Sequence, residues 1–209
     1  MADPMSETRE LLECRDPGKR QDLLARKFTA HRERLRSLLQ SRLHDRLRSV
    51  LDPSDVLQEA FVEVSQRLDQ YLKDPRLPLY PWFRTITGQK LWDLQGFHLE
   101  VQKRDARRTV SIDGHVMPEV SSAALVSRLA TPGPTPSDLA IRHEAQERLR
   151  EAIDHMDALD REILALRLYE SLSSVEAAEI LGIGVPAARK RFLRAMRHLK
   201  GITAKFSGE

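Results

Sequence analysis

A block of basic side chains near the C-terminal end of the chain has the composition of a nucleic-acid contact. Residues 189–200 include six lysines and arginines and no acidic residue. A helix through this block places Phe192 and Leu199 on an apolar stripe and turns Lys190 and Arg194 away from it. Guanidinium and ammonium groups on an exposed helix face can contact guanine edges or phosphates in the major groove of DNA.

The elements that precede this block are those of a helix-turn-helix. Ser173 and Glu176 form a capping box that opens one helix, and Gly182-Ile183-Gly184 supplies a tight turn before the next. The small side chain of Ala187, at the start of the second helix, allows a close approach to DNA. This pattern predicts a recognition helix that lies in the major groove. The alternative is a solvated basic face on a helix of a bundle.

A second candidate surface lies on the helix predicted to begin at Asp52, "DPSDVLQEAFVEVSQRLDQYL". Its apolar residues form one stripe, and the opposite face combines acids and amides around a valine. An exposed valine surrounded by polar groups fits a docking face for a protein partner, and the alternative is an ordinary solvated face. The candidate docking residues are Asp55, Gln58, Glu59 and Val62.

A third segment, residues 71–97, holds six of the eleven aromatic residues of the chain. Polar side chains alternate with these aromatics, and the basic run QKRDARR follows a few residues later. Aromatic rings stack on unpaired bases, amides and acids read base edges, and cations hold phosphates. The segment therefore fits a contact with melted DNA, with an aromatic core beside a solvated charge run as the alternative. The candidate side chains are Trp82, Arg84, Gln89, Lys90, Asp93, Lys103 and Arg104.

Composition excludes several classes of protein. The 209 residues carry a net charge of +3 and a single cysteine, Cys14, so no internal disulfide can form and a reducing compartment is expected. No apolar run reaches the length of a membrane span, and the N-terminus lacks the apolar core of a signal peptide. The seven histidines are scattered, and no metal-ligand cluster, phosphate-binding glycine loop or nucleophile setting is recognisable. We expect a cytoplasmic protein with no membrane insertion, cofactor, metal or catalytic residue.

Hydrophobic periodicity predicts an all-α fold of two small helical domains joined by a long flexible linker. Helices are predicted within residues 20–49, from Asp52, and from about Pro81, the last with a break at Gly96. Residues 109–136 contain four prolines and two glycines, and neither a helical period nor a strand or hairpin is recognised there. The predicted organisation is an N-terminal extension, 1–19, a first domain, 20–108, the linker, 109–136, and a second domain, 137–209.

Taken in order, these segments resemble the extracytoplasmic-function (ECF) group of the sigma-70 family of bacterial RNA polymerase sigma factors. "DVLQEAF" resembles the helix with which these factors bind the polymerase clamp. "PWFRTITGQKLWDL" resembles the region that melts and reads the −10 promoter element. "LREAIDHMDALDREILALRLYESLSSVEAAEILGIGVPAARKRFLRAMRHL" resembles the domain that reads the −35 element. The order and separation of the three segments, rather than any one motif, carry the resemblance.

The resemblance implies a factor that binds core RNA polymerase, recognises −35 and −10 elements, assists DNA melting and catalyses nothing itself. It implies that the docking residues of the second helix face the polymerase clamp. The residues that it places near the flipped −10 base are Trp82, Gln89, Lys90 and Asp93. Those that it places in the −35 major groove are Arg189, Lys190, Arg191 and Arg194. It also implies a linker in the polymerase channel and an anti-sigma factor as a candidate partner.

Within the −35 group, the chemistry of the side chains predicts different roles for two residues. The planar fork of Arg194 suits guanine, whereas Lys190 is a point charge suited to phosphate. Thr87-Gly88-Gln89 departs from the Ala-x-Asn pattern that relatives commonly have. The alternative function is a stand-alone helix-turn-helix regulator with a helical ligand-binding or dimerisation domain in residues 20–108. Such a regulator would bind paired half-sites as a dimer.

Overall fold

The structure is a computed structural model that describes residues 5–44, 47–100, 109–112, 115–129 and 139–204. These residues are predominantly helical, as the sequence predicts. They divide into two compact units, and the division falls between Pro118 and Glu119. The elements of the first unit are α1 (Ser6–Glu13), α2 (Pro17–Ala30), α3 (Arg32–Arg42), α4 (Pro53–Lys73), α5 (Leu79–Glu100), β1 (Thr109–Ile112) and β2 (His115–Pro118). Those of the second are α6 (Ser122–Leu129), α7 (Leu139–Asp154), α8 (Ala158–Leu168), α9 (Ser174–Ile180) and α10 (Val185–Ala204).

The helix α4 begins where its sequence predicts. The carboxylate of Asp52 accepts a hydrogen bond from the backbone N–H of Ser54 at 2.7 Å, and Pro53 occupies the first helical position. Both features favour a helix start, because Asp52 satisfies a free N–H and Pro53 lacks one. The predicted apolar stripe is buried, with Ala60 and Val64 at 0% exposure.

The helix α5 continues through Gly96, so the predicted break is wrong. A glycine inside a helix costs about 1 kcal/mol relative to alanine, which is too little to end a helix that is anchored elsewhere. Phe83 and Leu91 supply that anchor, because both are completely buried in the core of the first unit.

The segment 109–136 contains regular structure, contrary to the prediction. Strands β1 and β2 form an antiparallel hairpin in which Ile112 pairs with His115. The hairpin packs on α5, and Arg42 Nη1 donates to the carbonyl of Pro118 at 2.9 Å. The helix α6 follows and buries Leu125 completely. These contacts between distant parts of the chain stabilise elements that are too short to be stable alone.

The N-terminal residues also form part of the first unit, which the sequence did not reveal. The helix α1 packs against α2 and α4 and buries both Thr8 and Leu11 to 0% exposure. Asp16 caps α2 by accepting from the N–H of Lys19 at 3.0 Å.

The second unit contains the predicted helix-turn-helix, formed by α9 and α10. The capping box is confirmed: Glu176 N–H donates to Ser173 Oγ, and Ser173 N–H donates to Glu176 Oε2. Gly182 has a φ of 62°, a left-handed conformation that glycine adopts without strain, and it turns the chain from α9 into α10. The core of this unit unites residues of α6, α7, α8 and α10, namely Leu125, Leu149, Ile153, Leu164, Ala195 and Leu199. Across the described ranges, every helix is too short or too polar to cross a bilayer.

Candidate nucleic-acid interface and docking face

The helix α10 presents basic side chains on the face away from its core. Ala188, Ala195 and Leu199 are buried, at 0 to 2% exposure, and fix the orientation of the helix. Arg189 and Lys190 are exposed, as is Ala187. Within the described part of the chain, no ion pair engages Arg189 or Lys190. Their charges are therefore available to a ligand.

Arg191 and Arg194, the other two predicted groove residues, bind a carboxylate on α8. Arg191 Nη1 donates to Asp160 Oδ1 at 2.7 Å, and Arg194 Nη2 donates to Asp160 Oδ2 at 2.5 Å. Asp160 is 6% exposed, so these two hydrogen-bonded partners take the place of water around its carboxylate. The predicted basic group thus has two parts. In the described residues, Arg189 and Lys190 make no ion pair, whereas Arg191 and Arg194 are anchored by Asp160.

Asp157 and Asp160 were missed as parts of this arrangement. Asp157 caps α8 by accepting from Leu159 N–H at 2.9 Å and lies 3.5 Å from Arg191. Acidic residues in a first helical turn are common, because they complement the helix dipole. Their sequence context therefore gives no sign of an additional role in holding α10.

The predicted docking residues lie together on the outer face of α4. Asp55, Gln58 and Glu59 are exposed, and Val62 is 54% exposed among them. The adjacent Glu63 belongs to a different cluster: it lies 2.5 Å from Arg67 and 3.1 Å from Lys90. Hydrogen bonds from Lys90 first and then Arg67 hold the pKa of Glu63 below its ordinary value.

A surface pocket lies beside Trp82 in the first unit. The ring of Trp82 stacks on that of Tyr71, with centroids 4.0 Å apart and planes inclined by 10°. The pocket has a volume of about 390 Å³. Besides this aromatic pair, its wall includes Leu77, Gln70, Arg67 and the ion pair of Arg76 with Asp74, in which Arg76 Nε lies 2.7 Å from Asp74 Oδ2. An aromatic wall with cations at its rim is suited to a planar anionic ligand such as a nucleotide.

Gln89, Lys90 and Asp93 follow Trp82 along α5. Gln89 Oε1 accepts from Arg67 Nη1 at 3.4 Å, which ties Gln89 to a residue of the pocket wall. Lys90 is held by Glu63, and Asp93 is exposed. Trp82 therefore lines the pocket, whereas Gln89 is connected to it through the hydrogen bond from Arg67.

The remaining three predicted −10 contacts are one buried residue and two residues that the structure does not describe. Arg84 is 2% exposed, so it does not lie on the surface, and we remove it from the candidate contacts. It follows the buried Phe83 on α5, and the alternation of aromatic and polar residues concealed its burial. Lys103 and Arg104 lie outside the described residues.

Metal-binding chemistry has no candidate in the residues described. Among them, no group of three or more histidine, cysteine, aspartate or glutamate side chains is placed to hold a metal ion.

These features define a helical protein of two units, the second of which contains a helix-turn-helix with exposed basic side chains. The family model "Sigma-70, region 4" matches residues 146–199, which include α8, α9 and most of α10. This match and the relatives described next show that the chain is similar to sigma factors of the sigma-70 family, including members of the ECF group.

Three curated relatives carry sigma factor names. The "Probable RNA polymerase sigma factor RfaY" of Xanthomonas campestris pv. campestris is 34% identical over 151 residues, which cover 71% of this chain and 33% of that protein. The RNA polymerase sigma factor CnrH of Cupriavidus metallidurans is 26% identical over 151 residues, covering 72% and 73%. The ECF RNA polymerase sigma factor SigD of Mycobacterium tuberculosis is 29% identical over 153 residues, covering 73% and 64%. The matched stretch thus spans one third of the first relative's length and larger shares of the other two.

A solved structure of CnrH in complex with the cytosolic domain of CnrY is 22% identical to this chain. The TM-score is 0.46, with 97% of this chain and 99% of that chain covered.

Proposed function

We propose that this protein is a promoter-specificity subunit that binds core RNA polymerase and directs it to promoters with a −35 and a −10 element. The observation that carries the proposal is the exposed, unpaired basic pair on α10, which lies in the segment that matches sigma region 4. In this proposal the factor works in the cytoplasm and catalyses no reaction.

The −35 element is assigned to α10. Arg189 and Lys190 are free to contact phosphates or base edges, and the small Ala187 leaves room for the DNA backbone. Arg191 and Arg194 are held by Asp160, which orients their guanidinium groups. Arg194 keeps 60% of its side chain exposed, so a base contact alongside the ion pair is compatible with its position.

The −10 element and melting are assigned to the pocket beside Trp82. A base taken out of the duplex loses its stacking, and an aromatic wall replaces it. The volume of about 390 Å³ accommodates one nucleotide. Its phosphate would bind Arg67 and Arg76 in competition with their ion-pair partners, Glu63 and Asp74. Gln89, bonded to Arg67, supplies an amide that can read a base edge.

The polymerase clamp is assigned to the outer face of α4. Val62 offers apolar contact area, and Asp55 and Glu59 supply the charge that selects a basic partner. An anti-sigma factor that restrains the protein stays a prediction from the family resemblance.

The test is transcription by core RNA polymerase reconstituted with this protein on a promoter library with randomised upstream sequence. We expect enrichment of two short elements at a fixed separation and association of the protein with core enzyme. A stand-alone regulator would instead bind an inverted repeat as a dimer without polymerase. Dimeric binding to such a repeat, with no association with core enzyme, would overturn the proposal.

A further inference from the structure

A buried hydrogen-bond chain connects the N-terminal helix α1 to the pocket beside Trp82. Thr8 Oγ1 and the Tyr71 hydroxyl are 2.7 Å apart, although the residues are 63 positions apart in sequence. The Tyr71 hydroxyl donates to the carbonyl of Leu77 at 2.8 Å. A phenol has one proton, so Thr8 must be the donor to the Tyr71 oxygen. The series of hydrogen bonds therefore runs from the Thr8 hydroxyl through the Tyr71 hydroxyl to the Leu77 carbonyl.

Both residues reached by this chain line the pocket. Tyr71 provides the ring on which Trp82 stacks, and Leu77 belongs to the connection between α4 and α5. Tyr71 is 7% exposed, so its hydroxyl has no water to replace a lost protein partner easily. The hydrogen bonds thus fix the aromatic wall and the adjoining loop together.

Contacts of its own hold α1 in the position that presents Thr8. An eight-residue helix is not stable alone in water, so its place depends on tertiary contacts. Leu11 is completely buried, Glu10 lies 2.7 Å from Lys27, and Glu7 lies 2.8 Å from His31. These three contacts join α1 to α2 and its C-terminal cap independently of Tyr71.

We propose that Thr8 is a positioning residue for the pocket: its hydroxyl holds Tyr71, and through Tyr71 it holds Trp82 and the α4–α5 loop in the geometry that accepts an unpaired base. This inference rests on the proposed function of the pocket. It adds a contribution from α1, a helix outside the segments that resemble the −10-reading region.

The experiment compares Thr8→Val, which removes the hydroxyl at nearly constant volume, with Thr8→Ser, which keeps it. Thr29→Val is the matched control, since the Thr29 hydroxyl donates to the Ala25 carbonyl within its own helix and is exposed. Each full-length variant is checked for folding by thermal melting. The first readout is amide hydrogen exchange at Asp74, whose N–H donates to the Tyr71 carbonyl at 3.3 Å, with the buried helix α8 as internal reference.

The second readout is base preference at −10 and at −35, measured with reconstituted holoenzyme on the promoter library. We expect Thr8→Val to speed exchange at Asp74 roughly fivefold, because the loss of one hydrogen bond loosens Tyr71, whose carbonyl accepts from the Asp74 N–H. It should weaken −10 preference by a similar factor without altering −35 preference. Thr8→Ser and Thr29→Val should behave as wild type in both readouts.

Two results would overturn the positioning role. The first is that exchange in Thr8→Val is unchanged. The second is that exchange in Thr8→Val is faster but its −10 preference is unaltered, while Trp82→Ala loses that preference. Failure of Thr8→Ser to restore either readout would count equally against it. Failure of the proposed function has a different signature, because Trp82→Ala would then leave −10 preference intact. If the pocket does not bind an unpaired base, Thr8 cannot position it for one. The exchange data then still show whether Thr8 holds the α4–α5 loop.

Discussion

Arg194 on α10 and Asp160 on α8 form an ion pair, with Arg194 Nη2 2.5 Å from Asp160 Oδ2 across 34 positions of sequence. Arg191 occupies the other oxygen of the same carboxylate. Two basic residues of α10 therefore attach it to α8, in addition to the packing of its apolar stripe. Helical spacing turns both Lys190 and Arg194 away from the apolar stripe and predicts that neither is needed to pack α10. The structure agrees for Lys190, which is exposed, but Arg194 binds Asp160.

Replacement of Arg194 should therefore affect stability and DNA reading together. Arg194→Ala leaves the buried Asp160 with one arginine partner, which should lower the free energy of unfolding by about 1 kcal/mol. Lys190→Ala should leave stability unchanged, reduce promoter affinity for all sequences and lower the salt slope by about one. Chemical denaturation and salt-dependent binding to promoter DNA measure these effects.

The pair Asp160→Asn and Arg194→Ala separates the two roles of Arg194. Asp160→Asn frees both arginines without removing either, so it should lower stability while sequence preference at −35 is largely kept. Arg194→Ala should lower stability and relax preference at one or two −35 positions. If Arg194→Ala alters stability alone, Arg194 is an anchor of α10 and not a base contact.

The outer face of α4 can be tested without disturbing the core. Gln58 and Glu59 are both exposed, so replacing both by alanine should change the free energy of unfolding by less than about 0.5 kcal/mol. Binding to core RNA polymerase should weaken by roughly tenfold or more, which is the effect expected when a central contact of an interface is lost. Glu147→Ala, an exposed acid on α7, is the matched control. Wild-type affinity of the double variant for core enzyme would show that this face is ordinary solvent surface.

Local signals predicted the helix starts, and contacts between distant residues escaped prediction. Asp52 and the Ser173–Glu176 box act within one helical turn, so sequence alone locates them. The bond between Thr8 and Tyr71 and the pairing of Asp160 with α10 depend on how helices pack. Threonine and aspartate are ordinary at such positions, so their types gave no indication of either contact.

The hairpin of β1 and β2 had a signal that was overlooked. Asp113-Gly114 lies between Thr109–Ile112 and His115–Pro118, and an Asp-Gly pair between two short apolar runs is typical of a two-residue hairpin turn. Its four-residue strands are too short to show a clear period, and the surrounding prolines indicated a linker. Packing on α5 supplies the stability that these strands lack.

The contact of Glu7 with His31 should make stability depend on pH. Hydrogen bonding to His31 lowers the pKa of the Glu7 carboxyl, opposed by burial and aided by Lys27. A depressed folded-state pKa means that the stabilisation is complete above the ordinary value of 4.5 and is lost as the pH falls through the lowered value. Glu7→Gln should therefore remove part of the acid-side loss of stability. Denaturation curves between pH 3 and about 7 for both proteins measure it, and equal slopes would contradict the assignment.

Gly88 on α5 has no side chain, and the end of the Met117 side chain from the hairpin fills the space beside it. A β-carbon placed on Gly88 would lie 2.3 Å from both the sulfur and the terminal carbon of Met117, which is itself 3% exposed. This packing gives a physical reason for glycine within Thr87-Gly88-Gln89. In the wild-type background, Gly88→Ala should displace Met117, and crowding of about 1–3 kcal/mol should exceed the gain in helix propensity.

In a Met117→Ala background the space is free, and the same Gly88→Ala change should stabilise the protein by about 0.5–1 kcal/mol, the ordinary advantage of alanine over glycine in a helix. The sign of the effect thus depends on residue 117. A double-mutant cycle measured by chemical denaturation gives the coupling directly. Gly96→Ala is the control, because nothing lies within 4 Å of a β-carbon at that position, and it should stabilise in both backgrounds. Additive effects of Gly88→Ala and Met117→Ala would show that the hairpin does not pack on α5 at Gly88.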